Sequence, residues 1–260
     1  PPLDHAPHCT STESHGAPRI RAVPCAAPGR WHKPEVQEPA DLDPSTPQST
    51  TAQGWPIELP PAQLAQAEGF LRLLLEANAH FNLTALRSPE EARERHLVES
   101  LRLVPLVGEC RHLLDVGSGG GLPGMVLAIA RPEVAVTLLE ATEKKAAFLE
   151  GTAAALGLDN VKVVCDRAEL AAAPGHPMRG HFDVVSARAV AALPTLLELT
   201  IPFLRVGGRL LAVKGERAEQ ELAEAARAMK LLGVELVQQV RQPTATVLLL
   251  RKATETSLKY

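Results

Sequence analysis

The sequence predicts an α/β protein, a mostly parallel sheet with helices on both faces, preceded by a small N-terminal helical cap. Three observations carry this. From residue 111 onward, short apolar runs of strand length alternate with stretches of helix length, the pattern of parallel strands joined by crossover helices. The first run, His112-Leu113-Leu114-Asp115-Val116, opens into Gly117-Ser118-Gly119-Gly120-Gly121-Leu122-Pro123-Gly124, and ligands of such sheets bind where the strands end. Upstream, residues 55–107 hold helical periodicity but no strand pattern.

Residues 1–54 are rich in Pro, Ser, Thr, His and Ala, with almost no aliphatic periodicity. Such a segment buries too little apolar surface to offset its ordering entropy, so a disordered tail, or a misassigned start, is expected. His5, His8, His15 and Cys9 lie in it without metal-ligand spacing. In the cap, Pro60 and Pro61 suit a first helical turn. Leu64, Ala67, Phe70, Leu71, Leu74 and Leu75 then recur at helical spacing, and the helix is expected to end between Asn78 and Phe81. Ser88 as N-cap, Pro89 at the first helical position and Glu91 closing a capping box predict a second helix. It runs through Arg93, His96, Leu97, Ser100, Leu101 and Leu103 and stops at Pro105 or soon after.

The main domain is expected over 108–252, with a short tail over 253–260. Strand one is 112–116, followed by a helix through Met125, Val126, Leu127, Ala128, Ile129 and Ala130. Strand two is 133–140. Its helix is 142–156, with Ala146, Ala147, Phe148, Ala153 and Leu156 inward and Gly157 as terminator. Strand three is 161–164, residues 171–180 form a Pro/Gly loop, and strand four is 182–186. A helix through Leu193, Leu196, Leu197 and Leu199 follows. Gly207-Gly208 turns into strand five, 209–214. Residues 216–232 are helical, and 236–237 and 246–250 form late, paired strands.

The glycine turn matches G-x-G-x-x-G, which alone suggests a dinucleotide. Glycines let the backbone take positive φ and admit a ligand against bare backbone, with helix N-terminal N–H groups facing it. Three features favour S-adenosylmethionine instead. Asp115 closes the strand two residues before Gly117, placed to hold cationic or hydroxyl groups where it would repel a pyrophosphate. Pro123 removes a donor that a pyrophosphate would seek. Gly207-Gly208 before an apolar strand recurs in Rossmann-like methyltransferases. Glu140 at the end of strand two suits ribose hydroxyls in either case; otherwise it is a solvated strand end. Asp166-Arg167-Ala168-Glu169 leaves strand three where an adenine would lie, or is an ordinary polar loop.

Strand four narrows the chemistry. A methyl sulfonium is a strong electrophile, so the enzyme mainly positions the nucleophile. The sequence after this strand, Ser186-Ala187-Arg188-Ala189-Val190, is not the Asn/Asp-Pro-Pro-aromatic motif of amino-group base methyltransferases. Pyrimidine-C5 enzymes need a cysteine nucleophile. Cys110 and Cys165 are not placed for one and read as small buried residues. N7 of guanine, with its own lone pair and no proton to lose, needs neither device. Arg188 is the candidate catalytic residue, by positioning rather than acid/base work: it can pair with guanine O6, a phosphate or the cofactor carboxylate, or make a salt bridge to Glu169 or Glu140.

Composition is that of an ordinary globular chain. The 260 residues are 45% hydrophobic and 22% charged, with a formal net charge of −3, so no global basic field points to nucleic acid. A local patch of Arg87, Arg93, Arg95, Lys144, Lys145, Lys214 and Arg217 would serve. The four cysteines lack metal spacing and suggest a reduced compartment. No apolar run reaches membrane-spanning length, no signal pattern is evident, and no metal site is expected.

Asn82-Leu83-Thr84-Ala85, Arg95-His96 with Ser100-Leu101, the stretch from Leu114 to Gly124, Arg167-Ala168-Glu169, Ala187-Arg188-Ala189-Val190 and Lys214-Gly215 together resemble the RsmG (GidB) family over about residues 64–252. That resemblance implies a Rossmann-like class I methyltransferase in the bacterial cytoplasm. It implies S-adenosylmethionine as donor and N7 of a guanosine in the 530 loop of 16S rRNA as acceptor, in bare RNA or the 30S subunit. Gly117, Leu122, Ala168, Glu169 and Arg188 fall on the family's cofactor positions. With the turn residues Asp115, Ser118, Gly119, Gly121 and Gly124, and with Glu140, they make the candidate cofactor site. Asn82, His96 and Lys214, with Arg188, fall on other recurrent polar positions and are the candidate RNA-binding residues; His96 alone also reads as a buried contact. The chain departs from the family at Ala77, where a Trp is usual, at Glu99, where an Asp is usual, and at Ala245-Thr246, where an Arg-His pair opens the last strand. The alternatives are methyl transfer to a small molecule or protein, or a non-catalytic nucleotide-binding module. The oligomeric state is open, with a monomer as the working expectation.

Overall fold

The computed structural model describes residues 56–86 and 88–259. The 1–54 tail with its histidines, Arg87 of the basic patch and Tyr260 lie outside the described residues. Helix α1 (Pro61–Asn78) begins on its proline and buries Ala67, Phe70, Leu71 and Leu74. Ser88 caps α2 (Pro89–Ala92) by accepting from the Glu91 N–H. Its own hydroxyl donates to Glu90 rather than Glu91, so the expected capping box is displaced by one residue. The helical path continues as a π-helical stretch, Arg93–Val98, into α3 (Glu99–Leu101). Three consecutive residues of that stretch, His96, Leu97 and Val98, are buried, more than a regular α-helical stripe turns inward; π turns are frequent at functional sites. Pro105 opens a further short helix, α4 (Val104–Val107), rather than ending the run.

The sheet follows in alternation: β1 (His112–Val116), α5 (Gly124–Ala130), β2 (Ala135–Glu140), α6 (Glu143–Ala155), β3 (Val161–Cys165), α7 (Ala168–Ala171), β4 (Phe182–Arg188), α8 (Leu193–Thr200), β5 (Leu204–Lys214), α9 (Ala218–Glu224), α10 (Ala226–Leu232), β6 (Val234–Arg241) and β7 (Thr246–Lys252). The order across the sheet is β3-β2-β1-β4-β5-β7-β6. β1 to β5 are parallel, and β7 runs antiparallel to both its neighbours. The order reverses between β1 and β4. A ligand crevice is therefore expected at the carboxyl ends of these two strands, the ends that carry Gly117 and Arg188.

Side chains alternate between two cores, as strand geometry requires. Leu113, Leu138, Leu211 and Leu249 face a core shared with α1, the α2–α4 segment, α5 and α6. Leu114, Leu139, Leu210, Leu248 and Leu250 face the other, with Phe182, Leu197, Ile201 and Phe203. The cap helices thus share a core with the sheet.

Several expectations are corrected. β4 extends to Arg188, which is a strand residue rather than a loop residue. β5 starts at Leu204, so Gly207-Gly208 lies inside the strand; Gly207 takes φ +83°, and pairing jumps from Phe182↔Leu204 to Val184↔Arg209. Ala147 is exposed and Leu149 takes its place in the core. Cys165 is exposed and Cys110 half-buried, so neither is a fully buried residue. Among the described residues, no helix is long and apolar enough to cross a membrane, and no group of side chains could hold a metal ion.

Candidate active site

The glycine turn is tied to the strands it joins. The N–H groups of Gly117 and Ser118 both donate to Leu139 O, at 2.8 and 3.1 Å, and those of Gly121 and Leu122 to Ser118 O, at 2.7 and 3.2 Å. The Gly119 N–H donates to Glu140 Oε2 at 2.9 Å, while Glu140 Oε1 accepts from Thr142 N–H at 2.8 Å. The five donors of residues 117–122 among these are satisfied within the chain. The turn offers a ligand bare backbone more than free N–H groups, which suits a cofactor without a pyrophosphate better than a dinucleotide.

Asp115 lies beneath this turn. It is 1% exposed. The pairing of β1 with β4 sets it opposite Ser186, whose hydroxyl donates to Asp115 Oδ1 at 2.7 Å. Burial pushes its carboxyl up to about 6, against the pull of hydrogen bonds from Ser186, Ser118 and the Gly124 backbone. A Cβ on Gly124 would stand 2.6 Å from Asp115 Cβ and 2.5 Å from Leu138 Cδ2, so only glycine fits there. Asp115 therefore packs against the turn, with Oδ1 bound to Ser186 and Oδ2 without a hydrogen-bond partner among the described residues. Gly117 takes φ +67°, and a Cβ on it would meet Val190 Cγ2 at 2.9 Å. The segment after β4 thus closes directly over the turn, and Ala189 adopts φ +57° to do so, the kind of strain that collects at functional sites.

Arg188, at the end of β4, reaches back to the π-helical stretch. Its Nη1 donates to Arg95 O at 3.0 Å, and its Nη2 lies 3.2 Å from His96 Nδ1. His96 Nε2 in turn lies 2.7 Å from Thr84 Oγ1. Thr84 is held by Asn78, whose Oδ1 accepts from the N–H groups of Leu83 and Thr84 at 2.8 and 3.0 Å. Burial, and then the Arg188 charge, press the His96 pKa down to about 4. The alternative offered for Arg188, a salt bridge to Glu169 or Glu140, is not made: Glu169 pairs with Arg167 at 3.0 Å, and Glu140 holds the glycine turn.

Thr84, His96, Glu99, Arg188 and Lys214 line one cleft of about 520 Å³ at the carboxyl ends of β4 and β5. Lys214 is 8% exposed, and its Nζ is bound to Glu221 Oε2 at 2.6 Å and to Ala191 O at 2.7 Å. It braces the cleft wall. Arg95 and Arg217 line the same cleft, whereas Lys144 lines another groove, between α1 and α6, over the Phe81 ring. Arg93 pairs with Glu68. The basic residues are thus divided. Asn82 is exposed on the loop that Asn78 folds. Ala168 and Glu169 open α7 at the exit of β3.

Comparison with known proteins places this geometry. Residues 63–246 match the family rRNA small subunit methyltransferase G, or GidB. The chain belongs to this family. A ribosomal RNA small subunit methyltransferase G of Sorangium cellulosum is 46% identical over 202 residues, covering 76% of this chain and 84% of the relative. One from Mycolicibacterium smegmatis is 43% identical over 174 residues, covering 66% and 72%. Solved structures share the fold at low identity. An O-methyltransferase of Bacillus cereus in complex with SAH superposes with TM-score 0.50 at 20% identity, covering 70% of this chain and 90% of that one. A branched-chain polyamine synthase mutein of Thermus thermophilus gives 0.52 at 17%, covering 74% and 66%. The sheet is accordingly that of a class I methyltransferase, and S-adenosylmethionine is the cofactor of this family member.

Three residues that hold the GidB-family site together were not singled out from the sequence, Asn78, Thr84 and Ser186, nor was Glu99 as a residue of the cleft. Ser186 was within reach, since parallel pairing of two buried strands puts a small polar residue beside Asp115. Glu99 stood out only as a departure from the family's Asp.

Proposed function

We propose that this chain transfers the methyl group of S-adenosylmethionine to N7 of a guanosine in the 530 loop of 16S rRNA, acting in the cytoplasm on bare rRNA or the 30S subunit. The coarser statement, an S-adenosylmethionine-dependent rRNA methyltransferase, rests on family membership. The finer one is supported by a cleft lined by Arg188 and by Val190, the residue that a Cβ on Gly117 would meet.

The residues fit the cofactor. A Cβ on Gly119 would meet only Gly117 O, at 3.8 Å, so the turn is open on that side, and the turn's own hydrogen bonds leave little for a phosphate. Gly117, Ser118, Gly119, Gly121 and Leu122 would line it, Glu140 would meet its ribose, and Ala168 and Glu169 its adenine; Asp115 packs against Gly124 of the turn. Bound there, S-adenosylmethionine supplies an electrophilic methyl on sulfur. The protein's task is then alignment. A guanidinium keeps five donor N–H groups in a rigid fork; two of the Arg188 nitrogens are committed to Arg95 O and His96. Arg188 lines the cleft that would admit guanine, and its remaining N–H groups would donate to O6 beside N7. No base is needed, because N7 attacks through its lone pair and loses no proton. Arg188→Ala should leave S-adenosylmethionine binding intact and slow transfer by about a hundredfold. A full-rate variant would remove Arg188 from the mechanism.

A second reading is methyl transfer to another acceptor. Thr244 and Ala245 line the cleft near where the family resemblance leads one to expect an Arg-His pair, which lowers the positive charge available for RNA. RNA binding indifferent to salt would favour this reading.

A further inference from the structure

Glu99 is the one carboxylate that lines the acceptor cleft with neither oxygen hydrogen-bonded to a described residue. It is 8% exposed, and its Oε1 is wholly buried without a partner. Its electrostatic neighbours include Arg188, Arg95 and Arg102. None of them closes an ion pair with it: Arg102 pairs with Glu94 and Arg95 with Glu91. Burial raises the Glu99 pKa despite these cations. An unpartnered buried carboxylate is costly and needs a reason. The cleft is thus lined by the Arg188 guanidinium and by an acceptor, Glu99, that does not pair with it.

We propose that Glu99 reads the guanine, accepting from its N1–H and N2 amino group while Arg188 donates to O6. The inference rests on the guanine-N7 reading above and names how that base is selected. The pattern excludes adenine, which would set a 6-amino donor against the guanidinium and an unprotonated N1 against the carboxylate. It also favours the transition state. As the N7 lone pair forms the new N–CH3 bond, the S–CH3 bond breaks and sulfur keeps its electron pair. Positive charge moves from sulfur onto the purine, and no proton moves. The N1–H and N2 amino groups become stronger donors as this charge develops, so a carboxylate on that edge gains more in the transition state than in the bound substrate.

The test compares 16S rRNA carrying guanosine or inosine at the methylated nucleotide, with the wild-type protein, Glu99→Gln and Glu99→Asp. Inosine lacks only the 2-amino group. The wild type should methylate inosine about tenfold more slowly or worse. Glu99→Gln should fold, since it removes an unpaired buried charge, and should bind S-adenosylmethionine normally. It should lose about ten- to a hundredfold in kcat on guanosine and pay no further penalty on inosine. Glu99→Asp, which keeps the carboxylate, should keep the penalty. A wild type indifferent to inosine, or a penalty that survives in Glu99→Gln, overturns the proposal. Mapping the product separates the two failures. A methyl on another atom removes the guanine-N7 reading, whereas N7 methylation with an inosine penalty indifferent to residue 99 removes this inference alone.

Discussion

Arg188 Nη2 stands 3.2 Å from His96 Nδ1, and that contact fixes the protonation of the histidine. A guanidinium only donates, so Nδ1 carries no proton. The neutral ring then holds its proton on Nε2 and donates it to Thr84 Oγ1. His96 is a spacer between a loop and the candidate catalytic arginine. Thr84→Val would free the ring to turn. It should slow transfer by roughly tenfold while leaving S-adenosylmethionine affinity unchanged, which single-turnover kinetics and calorimetry together will check.

The same protonation state predicts an unusual pH profile. Folded His96 resists protonation down to about 4, against an ordinary value of 6.5, so stability falls as pH drops from 6.5 towards 4. Asp115 has the opposite slope. Its folded carboxyl titrates at about 6 against 3.8, so stability falls as pH rises from 3.8 towards 6. Each amounts to about 3 kcal/mol at full extent, and in the wild type they oppose one another. His96→Gln should leave stability falling from pH 4 to 6, and Asp115→Asn should leave it rising from pH 4 to 6.5. Thermal unfolding across this range checks the pair; parallel profiles for all three proteins would contradict the assignment.

At Gly117 the backbone takes φ +67°, and an added Cβ would meet Val190 Cγ2 at 2.9 Å. Gly117→Val combines a disfavoured conformation with a clash. It should cost about 1–3 kcal/mol of stability and abolish S-adenosylmethionine binding. Calorimetry that returned wild-type affinity would move the cofactor away from this turn.

Lys214 and Glu221 form a nearly buried pair, 7% and 13% exposed at their side chains. Lys214→Ala strands the carboxylate and should cost about 3 kcal/mol. The double variant with Glu221→Ala should recover part of that, though Glu221 also accepts from the Leu193 N–H at 2.8 Å. Denaturant unfolding of the cycle decides between a brace and an RNA contact: a stable Lys214→Ala protein with weakened RNA binding would restore the RNA role.

Much of this was legible in the chain. The alternation of apolar runs and helices gave the order of elements from β1 to β7, because strand and helix periods are local properties. The glycine spacing marked the turn after β1, because positive φ at Gly117, Gly119 and Gly121 needs residues without a Cβ. The strand boundaries at Arg188 and Leu204 were hidden, since they depend on pairing with neighbouring strands. Asp115 showed the same limit: sequence placed it at the strand end, but only the register of β1 with β4 set it against Ser186. The direction of Lys214, tied down by Glu221 from α9, and the bracing of Arg188 by a π-helical turn more than ninety residues upstream are likewise tertiary facts with no local signal.

The central claim is methyl transfer to one atom of the small-subunit rRNA. The most direct measurement is transfer from labelled S-adenosylmethionine to 30S subunits and naked 16S rRNA from cells lacking this modification, with the modified base mapped. The account predicts a single N7-methylguanosine in the 530 loop, formed about a hundredfold more slowly by Arg188→Ala. S-adenosylmethionine binding without transfer to either substrate, or a methyl mapped to another atom, would contradict it.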